Sequence, residues 1–181
     1  MRKRSSIFEC IEFSSRTKIR FSNITETQML ELAEFLAPLL KVGDSILLYG
    51  DIGCGKSVFA RGVIHQRYRI EKAAIEDVPS PTFTIVQVYD SISPTITHVD
   101  LYRISDESEL VDLDILDNLN VTICIIEWPE IMGSLVPSRH ISMKVFLNEI
   151  DYHSRNIVFE MHGNGWELIF KNFVERLSSS N

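Results

Sequence analysis

The chain has 181 residues, 45% of them apolar and 24% charged, and carries a formal net charge of −7. That length suits one domain with a sizeable core, because a chain of about 150 residues buries roughly 70% of the surface it exposes when unfolded. The acidic balance argues against a protein that grips nucleic acid over a broad surface by itself, and no apolar run approaches the ~18 residues of a membrane span.

The first six residues, Met1-Arg2-Lys3-Arg4-Ser5-Ser6, are basic, but no apolar h-region or cleavage site follows. A secretory signal is therefore not expected, and residues 1–21 read as a basic, partly ordered N-terminal extension. Ile7, Phe8, Ile11 and Phe13, then Ile19 and Phe21, suggest one or two short strands. Thr25-x-x-Gln28 is a capping-box pattern. It opens a predicted helix with Leu32, Phe35, Leu36, Leu39 and Leu40 on one face. Pro38 falls near the end of that helix, and Val42-Gly43-Asp44 makes the turn into Ser45–Tyr49, an apolar run the length of a buried strand.

Directly after that run, Gly50-Asp51-Ile52-Gly53-Cys54-Gly55-Lys56-Ser57 fits the phosphate-loop pattern G-x-x-x-x-G-K-[ST]. A helix to about Tyr68 is predicted behind it. The pattern thus sits between a strand and a helix N-terminus, where its mechanism needs it. Glycines let the backbone curl with its N–H groups inward, and the helix start adds unpaired donors and partial positive charge. Lys56 is expected to reach the β- and γ-phosphates, and the Ser57 hydroxyl to bind Mg²⁺. The competing reading, a chance match in a glycine-containing turn, is disfavoured by the flanking strand and helix.

Beyond the loop, Thr82–Tyr89 and Thr95–Tyr102 read as two strands around a turn at 90–94. An acidic helix starting near Asp106 carries Leu110, Leu113, Ile115 and Leu116. Val121–Ile126 is a buried strand ending at Glu127-Trp128-Pro129. Alternating residues at 141–147 and 157–161 give two antiparallel strands around a polar turn at 148–155. A helix over 166–177 closes the domain, and residues 178–181 read as a frayed end. The expected architecture is a single-domain α/β protein over residues 22–177, a P-loop NTPase-like mixed β-sheet flanked by helices.

A phosphate loop needs a second acid on a neighbouring strand. Glu127 is favoured, because ligands gather at the carboxyl ends of strands in open α/β sheets. Asp100 is the other candidate, and its structural alternative is an ion pair with Arg103. His98-x-Asp100 places two potential ligands on one side of a strand, but no third has evident spacing, so a packed or hydrogen-bonded histidine is the simpler reading. Ser80 and Thr82 offer hydroxyls on a proline-stiffened loop, suited to sensing a γ-phosphate. Trp128 is by default a core or rim aromatic. Cys10, Cys54 and Cys124 are odd in number and lack C-x-x-C spacing, so neither a disulfide framework nor zinc is expected, and a reducing cytoplasm fits. Cys54 lies near a helix N-terminus, which could lower its pKa, although a small residue in a tight turn is the plainer role. No guanine-reading Asn-Lys-x-Asp stretch occurs.

The phosphate loop, Ser80-Pro81-Thr82-Phe83-Thr84, His98-Val99-Asp100-Leu101-Tyr102-Arg103 and Ile126-Glu127-Trp128-Pro129-Glu130, in that order, resemble the TsaE (YjeE) family. The resemblance covers about Thr25 to Trp166. It implies an ATPase with ATP/ADP and Mg²⁺ as its ligands, working with TsaB and TsaD in formation of N6-threonylcarbamoyladenosine next to the anticodon of certain tRNAs. The tRNA would be reached through that complex. It implies that Lys56, Glu127, Asp100 and Trp128 are functional, that Ser57 and Glu127 hold the metal, and that Asp51, Ile52, Gly53, Cys54, Gly55, Lys56 and Ser57 cradle the phosphates. Thr25 to Thr27 would lie near the base and Arg155 near the nucleotide. The family usually has Ala at the Cys54 position and Thr at the Ser57 position. Serine keeps the hydroxyl, and cysteine brings a possible sensitivity to oxidation. The alternative on the same loop is a small-molecule or nucleoside kinase, which would need a lid with several arginines. Arg61, Arg67 and Arg69 more simply occupy a helix face.

Overall fold

The computed structural model describes residues 11–13, 17–113 and 115–178. In chain order the elements are β1 (Ile11–Phe13), β2 (Lys18–Thr25), α1 (Glu26–Leu36), β3 (Ser45–Tyr49), α2 (Lys56–Glu71), β4 (Val86–Tyr89), β5 (Ile96–Asp100), α3 (Glu109–Asp112), α4 (Ile115–Asn118), β6 (Ile123–Glu127), β7 (His140–Leu147), β8 (Ser154–His162) and α5 (Glu167–Ser178). Short 3-10 segments cover Ala37–Leu39 and Pro129–Leu135.

The strands form a single sheet in the order β1-β2-β8-β7-β3-β6-β5-β4. The four middle strands, β7, β3, β6 and β5, run parallel, and both flanks are antiparallel. Parallel strands are covered on both faces, so they read as unbroken apolar runs. Ile46, Leu47 and Leu48 of β3 and Ile123–Ile126 of β6 are fully buried. Side chains alternate between two cores. Ile46, Leu48, Ile123 and Ile125 pack with Met29, Leu32, Phe59, Val63 and Phe173 from α1, α2 and α5. Leu47, Cys124 and Ile126 pack with Leu110, Ile115 and Met132 on the other face.

The capping box at Thr25 forms as read: its hydroxyl accepts the Gln28 N–H, and the Gln28 side chain accepts the Thr25 N–H at 2.9 Å. The mixed sheet flanked by helices matches the expected fold class. Val121, read as the start of a buried strand, lies outside β6 and is 64% exposed, and three further details differ. The strand expected from Thr82 starts only at Val86, because Ile85 takes a left-handed φ of 65° and donates its N–H to Pro81 O at 2.6 Å. That turn takes residues 82–84 out of the strand, while Ile85 O still accepts the Asp100 N–H at 2.9 Å. The acidic helix resolves into two four-residue helices, α3 and α4. The boundary drawn at residue 22 falls inside β2, whose Ile19 and Phe21 lie in the core. Ile7, Phe8, Cys10 and residues 179–181 lie outside the described residues.

Candidate functional site

The loop between β3 and α2 turns through three left-handed glycines, Gly50, Gly53 and Gly55. At Gly50, with φ of 137°, a Cβ would collide with the backbone carbonyl of Val145 on β7. Only glycine lets the chain leave β3 this close to its neighbour. Gly55 is the N-cap of α2 and makes no side-chain cap, so the first N–H groups of the helix face the loop. Lys56 is 5% exposed. Its Nζ donates to Gly50 O at 2.6 Å and Asp51 O at 3.0 Å, and lies 3.8 Å from the centroid of the Trp128 ring. Asp51 and Ile52 form the exposed tip.

Trp128 reaches Lys56 because its backbone is left-handed, φ 58°, immediately after β6. Such a conformation is uncommon for a bulky residue and marks stored strain. Its ring rests 5.0 Å from that of Tyr102. Trp128 is thus a rim aromatic, half-buried against the second core, whose ring also covers the loop lysine.

The two acids end adjacent parallel strands. Asp100 is the register partner of Glu127, and Glu127 is that of Leu48, so all three strands finish level beside the loop. Glu127 Oε2 accepts from Ser57 Oγ at 2.9 Å, and Oε1 lies 2.9 Å from His98 Nε2. Asp100 Oδ2 accepts from Thr82 Oγ1 at 2.5 Å and from Ser80 Oγ at 3.3 Å, while Oδ1 accepts the Tyr102 N–H at 2.9 Å. Ser80 Oγ in turn lies 3.4 Å from Ser57 Oγ. Three hydroxyls, those of Ser57, Ser80 and Thr82, therefore fill the space between the two carboxylates in a cleft of about 180 Å³. The alternative pairing of Asp100 with Arg103 does not form; Arg103 lies over the Phe83 ring, 5.5 Å from its centroid.

A second cleft, about 210 Å³, opens on the far side of the loop, lined by Gly53, Cys54, Gly55, Glu26, Met29, Val58, Tyr152, His153 and Arg155. Pairing of β2 with β8 sets Ile24 opposite Arg155 and Thr25 opposite Ser154. That is how two segments far apart in sequence meet at the loop. Arg155 Nε donates to Cys54 O at 2.9 Å. Thr25 is occupied in capping α1, and Thr27 is exposed without lining the cleft. Glu26 falls within the 25–27 segment that the resemblance places near the base; the sequence reading missed Met29, Tyr152 and His153. Their only signal was proximity in sequence to Thr25 and Arg155.

Cys54 is fully buried, and burial pushes its thiol pKa up, with the nearby Lys56 charge opposing. The lowering that the helix start could bring does not win, and the plainer reading of a small residue in a tight turn fits. The arginines of α2 are held away from the clefts. Arg61 donates to Val78 O, Arg67 to Ser93 O, and Arg69 pairs with Glu34.

These residues fit a Mg²⁺–nucleotide. A backbone cradle that a Cβ at Gly50 would disrupt, a nearly buried lysine and a hydroxyl–carboxylate pair are the donors such a ligand takes. Among the described residues no group of three or more His, Cys, Asp or Glu could cage a metal. Mg²⁺ seldom uses such a cage, preferring one or two carboxylates with water and substrate phosphates.

A family model described as "Threonylcarbamoyl adenosine biosynthesis protein TsaE" matches residues 24–157, which include every site residue named above. The chain belongs to the TsaE family. Proteins named "tRNA threonylcarbamoyladenosine biosynthesis protein TsaE" are among its relatives. One from Rickettsia felis is 38% identical over 111 residues, 61% of this chain and 63% of that protein. One from Rickettsia bellii is 34% identical over 75% of this chain and 92% of its own length. One from Bacillus subtilis is 26% identical over 91% of this chain and 99% of its own. The crystal structure of Bacillus subtilis YdiB superposes with a TM-score of 0.69 over 91% of this chain and 96% of that one, at 21% identity. It supports the P-loop NTPase-like fold of the family.

Proposed function

We propose that this chain is a Mg²⁺-dependent ATPase subunit serving N6-threonylcarbamoyladenosine formation next to the anticodon of tRNA. Its partners would be TsaB and TsaD, with tRNA reached through them and the work done in the cytoplasm. Family membership supports the pathway. Among the described residues no helix is long and apolar enough to cross a membrane. The observation that carries the ATPase reading is the Ser57–Glu127 hydrogen bond at 2.9 Å, set beside a loop lysine that donates to two backbone carbonyls and pairs with no carboxylate among the described residues.

Bound Mg²⁺ would supply the positive charge that phosphoryl transfer requires. Ser57 and Glu127 are the residues to hold it. Lys56 offers an ammonium that can exchange its loop carbonyls for phosphate oxygens, and Trp128 shields that charge from water. Asp100 already accepts three hydrogen bonds, from Ser80, Thr82 and the Tyr102 amide. Its part is to fix the two hydroxyls facing the cleft, leaving Glu127 as the acid nearest the loop. Catalysis of this kind is positioning plus preorganised charge. On the other side of the loop, Arg155, Glu26 and Met29 supply the walls for the nucleoside. Lys56→Ala and Glu127→Ala should each abolish phosphate release from ATP, measured with TsaB and TsaD present. Normal turnover in either variant would contradict these roles.

A further inference from the structure

We infer that His98 is a positioning residue that fixes the Glu127 carboxylate for the cation; the inference rests on the nucleotide site proposed above. Apart from Asp100 at the strand end, β5 and β6 are otherwise lined on this face by Ile96, Ile123 and Ile125, all without exposure. In this apolar layer His98 and Glu127 are 1% and 2% exposed, and they touch at 2.9 Å. Their registers differ by two residues, since His98 is opposite Ile125 and Asp100 is opposite Glu127. The contact is therefore a diagonal one that only a long side chain can make.

The pair is poorly explained as packing. His98 Nδ1 is buried with no hydrogen-bond partner, an arrangement that an apolar side chain of similar size would avoid. A carboxylate that holds a cation can only accept, so in this contact His98 donates from Nε2–H to Glu127 Oε1. The partners of Glu127 then divide by oxygen. Ser57 donates to Oε2 on the cleft side, and His98 donates to Oε1 from behind. With one oxygen anchored in the sheet, the carboxylate cannot rotate, and its other oxygen stays aimed at the Ser57 hydroxyl. Outer partners of metal ligands act in this way, and their removal commonly weakens the metal site by about 10- to 100-fold.

The test compares binding of a fluorescent ADP with and without Mg²⁺, in wild type, His98→Gln and His98→Asn. The Gln amide can reach Glu127; the Asn amide is too short. For Asn, the Mg²⁺ concentration giving half the full binding response should rise about tenfold or more, with Mg²⁺-free ADP affinity changed less than about twofold. Gln should recover to within about threefold of wild type. Melting curves without nucleotide show which variants fold, and His98→Leu, which has no donor, takes the place of Asn should Asn unfold the sheet. An unaltered Mg²⁺ response in Asn or Leu would overturn this role alone. So would equal losses in Gln and Asn. A wild-type chain that bound ADP with no response to Mg²⁺ would overturn the underlying site and this role with it.

Discussion

Gly50 is held at φ of 137° with the Val145 carbonyl where its Cβ would stand. Replacing it with alanine adds backbone strain of about 1–3 kcal/mol and forces the loop off β7. Gly50→Ala should therefore lower the free energy of urea unfolding by about 2 kcal/mol or more and remove nucleotide binding; an alanine variant as stable as wild type would show that this approach is not required. At this scale the sequence was informative wherever chemistry is local. The loop glycines, Lys56 and Ser57 are contiguous, and Glu127 follows an unbroken apolar strand. Trp128 over Lys56 was not legible, because its role depends on a left-handed backbone that no residue type there requires. At Cys54 burial, a tertiary property, outweighs the lowering that the helix start beside it could bring, in keeping with the plainer reading of a small turn residue.

Among the elements, the β7–β8 hairpin carries a titratable contact away from the candidate site. His140 and His162 are cross-strand partners with rings stacked at 4.5 Å, and His140 Nδ1 donates to Pro137 O at 2.6 Å. Burial lowers the His140 pKa, the Pro137 bond opposes that, and His162 adds to it. A folded pKa below the ordinary value, about 6.5, means that the unfolded chain binds more protons between the two values. Stability is thus full above the ordinary value and falls as pH drops through it toward the folded one. Between about pH 7.5 and 5.5 the melting temperature of wild type should fall more than that of His140→Asn, which keeps a donor for Pro137 but does not titrate. Parallel falls would exclude this contribution. His65, also depressed by burial, is common to both proteins and cancels. Alternation revealed the hairpin strands in the sequence. It misread residues 82–85, where β-branched and aromatic composition suggested a strand and the Ile85 turn instead brings Thr82 to Asp100.

Across the whole molecule, the site exists because β3, β6 and β5 run parallel and end level, gathering loop, acids and hydroxyls at one edge. That convergence was inferable, since strand–loop–helix order fixes which end of a parallel sheet holds the ligand. The second cleft was not, because it depends on β2 pairing with β8, and nothing local announces contacts across more than a hundred residues. The resemblance to the family supplied Arg155, and the structure supplies the reason it reaches the loop. The central claim is that the gathered edge binds a nucleotide together with its cation. Titration calorimetry with ADP and with a non-hydrolysable ATP analogue, each with and without Mg²⁺, tests it most directly. The expected result is saturable one-to-one binding that Mg²⁺ tightens in wild type and that Lys56→Ala abolishes. Absence of binding heat from folded wild-type chain, or equal binding by the folded Lys56→Ala variant, would contradict it.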